Sequence, residues 1–187
     1  MNNLKYNRLK AVEYAKRWAY KRNPKYYNFD EIGGDCTNFI SQCIYEGSGI
    51  MNYTKDFGWY YINGNNKAPA WSGVEFLYNF ITKNKLAGPY GKEVTIDKVE
   101  LGDFVQLSFS GKKFEHSLLI VKIENKNDLS GIKIATHTFD AFEKPVSQYN
   151  FKKIRFVHIE GVRTRVNLGR FPIGHFDQSG TLLHFGG

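Results

Sequence analysis

The sequence predicts an α+β fold in which N-terminal helices pack on an antiparallel β-sheet. In the first half of the chain, apolar residues recur at helical spacing up to about residue 83. After residue 104, four segments instead carry β-branched and aromatic residues with partial alternation, as strands do. Helices that precede strands along a chain are typical of the α+β class.

The three helices are predicted over residues 6–22, 36–46 and 74–83. Pro24 follows the first helix and stops it, and Gly47 is the expected C-cap of the second. A long irregular segment, 48–71, comes next, and its length indicates a functional loop. Ser72 and Glu75 then have the spacing of a capping box, which opens the third helix.

The strands are predicted over residues 104–109, 117–123, 131–136 and 154–159. A polar loop, 125–130, joins the second and third strands as a hairpin. We expect residues 1–162 to form one domain. The glycine-rich residues 163–187 then form a C-terminal extension of unknown role, either an extra hairpin or a tail.

The composition is that of a globular domain with a basic surface. The chain has 187 residues, 42% hydrophobic and 24% charged, which suffices for one core. No apolar run is long enough for a membrane span, and no signal peptide is expected. The net charge of +8 favours polyanions such as anionic bacterial wall polymers, or simply reflects a lysine-rich solubilising surface. The chain has no nucleic-acid-binding motif, so nucleic acid is not an expected partner.

The most informative segment is Gly33-Gly34-Asp35-Cys36, which delivers a cysteine to the start of a predicted helix. Unpaired backbone N–H groups and the helix dipole favour thiolate there, and thiolate is the nucleophilic form. Asp35 is expected to cap this helix, with fixing of the cysteine loop as the alternative. Cys43 lies roughly 10.5 Å further along the helix, beyond the about 7 Å limit for a disulfide. We therefore interpret Cys43 as a core residue, and Cys36 as either a nucleophile or an inert buried thiol.

His116 is the predicted base for Cys36. It follows a charged segment, Lys112–Glu115, and begins an apolar strand. A histidine at such a strand edge can face a cleft while the strand anchors it in the core. The competing interpretation is an ordinary surface histidine. No short two-histidine spacing indicates a metal, so neither a metal nor another cofactor is expected.

A register argument supplies the third member of the site. If the hairpin turns at 125–130, Leu118 lies opposite His137, and residues 116 and 118 share a face of the sheet. His137 is therefore predicted to neighbour His116 and to orient its ring. A slip of one residue would remove this relation. Asp140 is the rival, because a carboxylate orients an imidazolium more strongly.

These motifs resemble the putative amidase domain family of Gram-positive bacteria, papain-like cysteine hydrolases related to NlpC-type peptidases and CHAP amidases. The similarity runs in order over about residues 5–160. Its motifs are the helix Tyr6–Trp18 with Asn23-Pro24, Gly33–Cys43, Trp59-Tyr60-Tyr61, Ser72 with Val74, Gly102-Asp103, His116-Ser117, and His137-Thr138 with Asp140. The resemblance implies a papain-like fold of the NlpC/CHAP type, in which the Cys36 helix packs on a sheet bearing His116. It also implies amide hydrolysis by a Cys–His pair, with peptidoglycan peptide as substrate class.

Three functions are compatible with the sequence. The first is a secreted or wall-associated peptidoglycan amidase or peptidase that forms an acyl-enzyme on Cys36. The second is a toxin-like thiol protease, deamidase or acyltransferase that acts on proteins with the same chemistry. The third is a binding module without activity, although the presence of both Cys36 and His116 argues against it.

Overall fold

The computed structural model describes residues 1–165, a mixed α/β domain with an antiparallel sheet and few helices. The predicted α+β class is confirmed. The helices are α1 (Arg8–Trp18), α2 (Cys36–Ser48), α3 (Pro69–Ser72) and α4 (Val74–Lys83). The strands are β1 (Asn2–Leu4), β2 (Tyr61–Asn63), β3 (Asn66–Lys67), β4 (Gly88–Val94), β5 (Phe104–Ser108), β6 (His116–Ile123), β7 (Ile132–Thr136), β8 (Ala141–Pro145) and β9 (Lys153–Thr164).

The main sheet is antiparallel throughout and has the order β1-β9-β5-β6-β7-β8, with β4 also paired to β9. A separate hairpin, β2–β3, lies within the long segment after α2. The central strands β5 and β6 are buried along almost their whole length. This explains why they show only partial alternation, since both faces of the sheet are covered.

One face of the sheet packs against the helices, and the other face has its own apolar cluster. The helix-side core joins Phe39 and Ile40 of α2 to Phe104 and Leu119 of the sheet. On the opposite face, alternate residues of the same strands, such as Leu118, pack in a second cluster. This alternation follows from the two-residue period of a strand. The face on which a side chain lies therefore decides whether it can meet α2.

Helix α2 continues past its predicted end. Its C-cap is Gly49, with φ +65°, and not Gly47. Gly47 lies within α2, where an added Cβ would overlap the Tyr6 ring and lie 2.8 Å from the Asn7 carbonyl oxygen. The glycine thus permits close approach of the segment that leads into α1.

The predicted capping box is wrong. Ser72 is the last residue of α3, and Gly73 is the N-cap of α4, without a side-chain capping bond. The physical reason is the short helix that begins at Pro69, which buries Trp71 and includes Ser72. Glu75 instead accepts a hydrogen bond from the Phe114 N–H.

Three strands of the main sheet were not predicted: β1, β4 and β8. The sequence of β4, Gly-Pro-Tyr-Gly-Lys-Glu-Val, contains turn-forming residues that mask a strand. Strand β9 continues to Thr164, two residues past the predicted domain boundary, and the remainder of the predicted extension, 166–187, lies outside the described residues. Among residues 1–165, no helix has the length and apolar character needed to cross a membrane.

Candidate active site

Cys36 is the first residue of α2, as predicted, and a glycine pair shapes the turn before it. Gly33 and Gly34 have φ values of +92° and +101°, which L side chains rarely adopt. A Cβ on Gly34 would also lie 3.0 Å from Thr138 Oγ1. The loop can therefore reach the nucleophile position only with glycine at these two sites.

The Cys36 thiol is buried, with 7% of the residue exposed. Burial raises its pKa above the ordinary value, and the nearby Asp35 carboxylate adds to this rise. Hydrogen bonds from the Ser117 backbone N–H and from Thr37 act in the opposite direction but do not offset the burial. At neutral pH the resting group is thus a thiol, contrary to the expectation that the helix start would hold it as thiolate.

His116 is the first residue of β6, and it is 4% exposed. Its ring lies between those of Phe109 and Tyr149, with centroid distances of 6.1 and 6.0 Å. Burial lowers the pKa of His116 to about 4, and the Lys144 ammonium contributes in the same direction. The imidazole is therefore neutral at pH 7, the state that a general base requires.

The structure brings the Cys36 sulfur to the start of β6. Ser117, the residue directly after His116, faces α2: its hydroxyl lies 3.0 Å from Thr37 Oγ1, and its backbone lowers the pKa of the Cys36 thiol. Within residues 1–165, the hydrogen-bond partner of the sulfur is Thr37 Oγ1, and not the His116 ring. His116 shares the sheet face of Leu118 and of the second apolar cluster, away from α2, so its ring does not contact Cys36 in the resting structure.

The register predicted for His137 is wrong by one residue at the decisive point. Near the hairpin it holds, because the Glu124 N–H donates to the Gly131 carbonyl at 2.8 Å. A bulge between Ile120 and Lys122 then shifts the pairing, so that Leu119 lies opposite Ala135. Leu118 consequently falls opposite the residue before His137, which moves His137 to the other face of the sheet.

Thr136 takes the place next to His116. Its Oγ1 lies 3.4 Å from His116 Nε2 and 2.9 Å from the Ser117 carbonyl oxygen. A hydroxyl that donates to the carbonyl can accept the Nε2 proton, which leaves Nδ1 as the unprotonated nitrogen. Among the described residues, Thr136 is the hydrogen-bond partner of the His116 ring.

His137 instead fixes the cysteine loop from the helix side. Its Nδ1 lies 2.6 Å from Asp35 Oδ2, its Nε2 donates to the Trp18 carbonyl at 2.8 Å, and its ring stacks on Phe39 at 3.9 Å. The other Asp35 oxygen accepts from the Phe29 N–H at 3.0 Å. Asp35 is the N-cap residue but makes no side-chain capping bond, so the alternative role, fixing the loop, is the one it has.

Asp140 does not contact His116 either. Both of its carboxylate oxygens accept from the Arg22 guanidinium, at 2.8 and 2.9 Å. Arg22 also pairs with Asp30 at 2.7 Å and lies 3.8 Å from Asp35 Oδ2. Asp140 therefore belongs to an ion-pair network at the rim of the cysteine loop.

A set of buried polar side chains beneath Cys36 was not predicted. This buried polar chain consists of Thr37, Ser117, Gln106 and Arg155. Thr37, Ser117 and Gln106 are fully buried, and Arg155 is 7% exposed. Gln106 within the apolar strand Phe-Val-Gln-Leu-Ser was the available signal, because a glutamine is rarely buried without partners.

A cavity of about 630 Å³ lies apart from these residues and is lined by residues 5–9, Glu100, Leu101, Ile123 and Lys126. Within residues 1–165, no group of three or more His, Cys, Asp or Glu side chains could hold a metal ion.

The comparisons with known proteins identify the family of the chain. The family described as "Putative amidase domain" matches residues 5–159, which include every residue of the candidate site. The chain belongs to the putative amidase domain family. This family description indicates an amide hydrolase.

One curated relative of this amidase-family chain is "Uncharacterized protein YhbB" of Bacillus subtilis (strain 168). It is 29% identical over 125 residues, which cover 65% of the present chain and 39% of the relative. The chain thus spans well under half of that relative's length. No solved structure matches.

Proposed function

We propose that this chain is a cysteine-dependent amide hydrolase with Cys36 as nucleophile and His116 as base, on a papain-like arrangement of helix and sheet. The observation that carries the proposal is the position of Cys36 at the start of α2, which packs against β6 through the 3.0 Å contact of Thr37 Oγ1 with Ser117 Oγ. The family description supports the reaction class, the position of Cys36 supports the nucleophile, and the neutral imidazole of His116 supports the base.

The proposed reaction begins from the neutral pair. Because the His116 ring rests on the sheet face away from α2, the reaction requires the start of β6 to turn this ring toward Cys36. His116 Nδ1 then takes the thiol proton as the sulfur attacks the amide carbonyl carbon, and the carbonyl oxygen becomes an oxyanion. The N–H groups at the start of α2, including that of Cys36, can donate to this oxygen. The imidazolium then gives its proton to the leaving amine as the C–N bond breaks. Water, deprotonated by His116, attacks the acyl-enzyme and releases the acid and the thiol.

The energetics require proton transfer to accompany the attack. The pKa of Cys36 is raised and that of His116 is lowered to about 4, so a free ion pair lies uphill from the neutral pair. Transfer becomes favourable when the developing oxyanion draws charge away from the sulfur. This differs from the common cysteine hydrolase arrangement, in which a thiolate is formed in advance.

Peptidoglycan peptide is the proposed substrate class, which implies a secreted or wall-associated setting. The family resemblance of the cysteine and histidine motifs supports this choice, and the net charge of +8 suits an anionic wall. Large apolar side chains are also exposed near the cysteine loop. Ile32 is 65% exposed and Phe139 is 82% exposed, as expected of a surface that holds an extended polymer.

Digestion of purified Gram-positive peptidoglycan tests the proposal. We expect mass spectrometry to find amide-cleaved muropeptides with the wild type and none above background with Cys36→Ala. Cys43→Ala is the matched control, since Cys43 is buried on the same helix and takes no part in the reaction. Equal turnover by Cys36→Ala would overturn the mechanism. Cleavage of protein substrates and not muropeptides would keep the mechanism and reject the substrate class.

A further inference from the structure

We propose that the buried polar chain ends as a hydrogen-bond donor on the Cys36 sulfur and stabilises its thiolate as it forms. The inference rests on the proposed function, because it assigns positioning residues to the same nucleophile. Its support is the direction of each hydrogen bond, which can be followed from Arg155 to the sulfur.

The direction is set at Arg155, whose guanidinium can only donate. Its Nε and Nη2 lie 2.8 and 2.5 Å from Gln106 Oε1. The atom that accepts these bonds must be the amide oxygen, which settles the orientation of the Gln106 side chain. Gln106 Nε2 is then a donor, and it donates to the Val74 carbonyl at 2.8 Å.

The remaining bonds follow from this orientation. Gln106 Nε2 also donates to Ser117 Oγ at 3.2 Å, so the Ser117 hydroxyl accepts there and keeps its own proton for Thr37 Oγ1, 3.0 Å away. Thr37 Oγ1 accepts that proton and directs its own to Cys36 Sγ at 3.8 Å. Each hydroxyl has one proton, and this direction is the one in which the protons of both Ser117 and Thr37 have an acceptor within the chain, so the direction set at Arg155 is passed to the sulfur.

The surroundings hold Arg155 in place. Its guanidinium lies between the rings of Tyr78 and Phe114, 3.6 and 3.9 Å from their centroids, and its Nη2 is 3.1 Å from Glu75 Oε2. A buried guanidinium that is clamped on both faces cannot turn its donors away from Gln106. The chain is therefore a preorganised element of the sheet.

The sulfur gains a second type of donor in this way. The hydroxyl of Thr37 adds a side-chain donor to the effect of the Ser117 backbone on the sulfur. Both lower the pKa of the thiol, in opposition to burial and to Asp35. Donors to a charged acceptor are stronger than those to a neutral one, so the contribution increases as the thiolate forms.

The first test removes the terminal donor. In a Cys43→Ala background, the rate of Cys36 alkylation by iodoacetamide is measured from pH 6 to 10 for the wild type, Thr37→Val and Thr37→Ser. Valine replaces the hydroxyl by a methyl group, and serine keeps it. A hydrogen bond to a charged group changes an equilibrium constant, here that for ionisation of the Cys36 thiol, about tenfold. We therefore expect alkylation at pH 7 to be about five- to tenfold slower with Thr37→Val. Thr37→Ser should stay within about twofold of the wild type by the same reasoning.

The second test reverses the direction. Gln106→Glu keeps the size of the side chain and the contact with Arg155, but a carboxylate can only accept. Ser117 then donates to residue 106, and Thr37 donates to Ser117. The Thr37 hydroxyl no longer donates a hydrogen bond to the Cys36 sulfur. We expect Gln106→Glu to slow alkylation at pH 7 about as much as Thr37→Val, and to add nothing in the Thr37→Val protein.

Two outcomes would overturn the inference. One is an unchanged pH profile of alkylation with Thr37→Val. The other is that Gln106→Glu slows alkylation equally in the Thr37→Val protein, which would indicate a direct effect of the new charge on the thiol. If Thr37→Val fails to fold by near-ultraviolet circular dichroism, the profile of Gln106→Glu alone decides. Alkylation needs no substrate. A wild type that cleaves no amide would therefore reject the proposed function without affecting the result for the chain.

Discussion

The lowered pKa of His116 predicts a loss of stability in mild acid that can be assigned to this one side chain. In the unfolded chain an imidazole has its ordinary pKa of 6.5, whereas burial in the fold lowers it to about 4. Between these values the unfolded state binds a proton that the folded state does not, so the free energy of unfolding falls as the pH falls from 6.5 to 4. The two pKa values differ by about 2.5, and each pKa unit corresponds to about 1.36 kcal/mol. The protein should therefore lose about 3 kcal/mol of its free energy of unfolding by pH 4.

The assay is urea unfolding at several pH values from 7 to 4, with the wild type and His116→Gln. Glutamine is polar and of similar size but does not titrate. Carboxylates that titrate in this range are common to both proteins and cancel in the comparison. We expect the wild type to lose about 3 kcal/mol more than the variant, with the difference confined to pH 4–6.5. Parallel pH dependence of the two proteins would refute the assigned environment of His116.

Three further predictions concern the frame around the site. Gly47→Ala should lower the free energy of unfolding by about 1–3 kcal/mol in a thermal melt, because its Cβ would overlap Tyr6. Phe139→Gly should raise the free energy of unfolding by up to about 1 kcal/mol, and with it the melting temperature, because φ is +71° at this exposed residue. In urea unfolding, Asp35→Ala should cost about 3–5 kcal/mol because it leaves His137 and the Phe29 N–H without their buried acceptor. Asp140→Ala, which breaks a more exposed pair, should cost under about 1 kcal/mol, and equal losses would contradict this reasoning.

The parts of the fold that could be predicted are those governed by local sequence. The helix that begins at Cys36 follows from the glycine turn and the apolar periodicity after it, and β6 follows from its unbroken apolar run. The position of Cys43 in the core is confirmed, with no exposed surface. Strand β4 could not be found, because its pairing with β9 overrides the turn preference of its glycines and proline.

The third member of the site could not be predicted, because it depends on a single irregularity in pairing. Nothing in the residues around Val121 marks a bulge, and the hairpin register counted from Glu124 and Gly131 is correct up to that point. One extra residue then exchanges the faces of Thr136 and His137. The sequence thus limits the candidates near His116 to a few neighbours, but the tertiary pairing chooses among them.

The consequence of that exchange is itself testable. A carboxylate beside His116 would favour the imidazolium and raise its pKa, whereas the threonine that lies there adds no charge. This agrees with a pKa of about 4 and with a base that is neutral at rest. The role left for Thr136 is to hold the proton on Nε2, which leaves Nδ1 as the ring nitrogen that can accept a proton.

Thr136→Val should therefore change the tautomer of His116 and not its charge at pH 7. We expect the ¹⁵N shifts of the wild-type ring to show a protonated Nε2, and those of Thr136→Val to show a mixture of the two tautomers. Amide hydrolysis should fall about fivefold through kcat, since a lost hydrogen bond to the base is worth about 1 kcal/mol. Thr136→Ser, which keeps the hydroxyl, should retain both the tautomer and the rate. If Thr136→Val kept a single Nε2-protonated ring, the bulge would have placed Thr136 beside His116 without giving it a function. The orientation of the base would then come from the rings of Phe109 and Tyr149 alone.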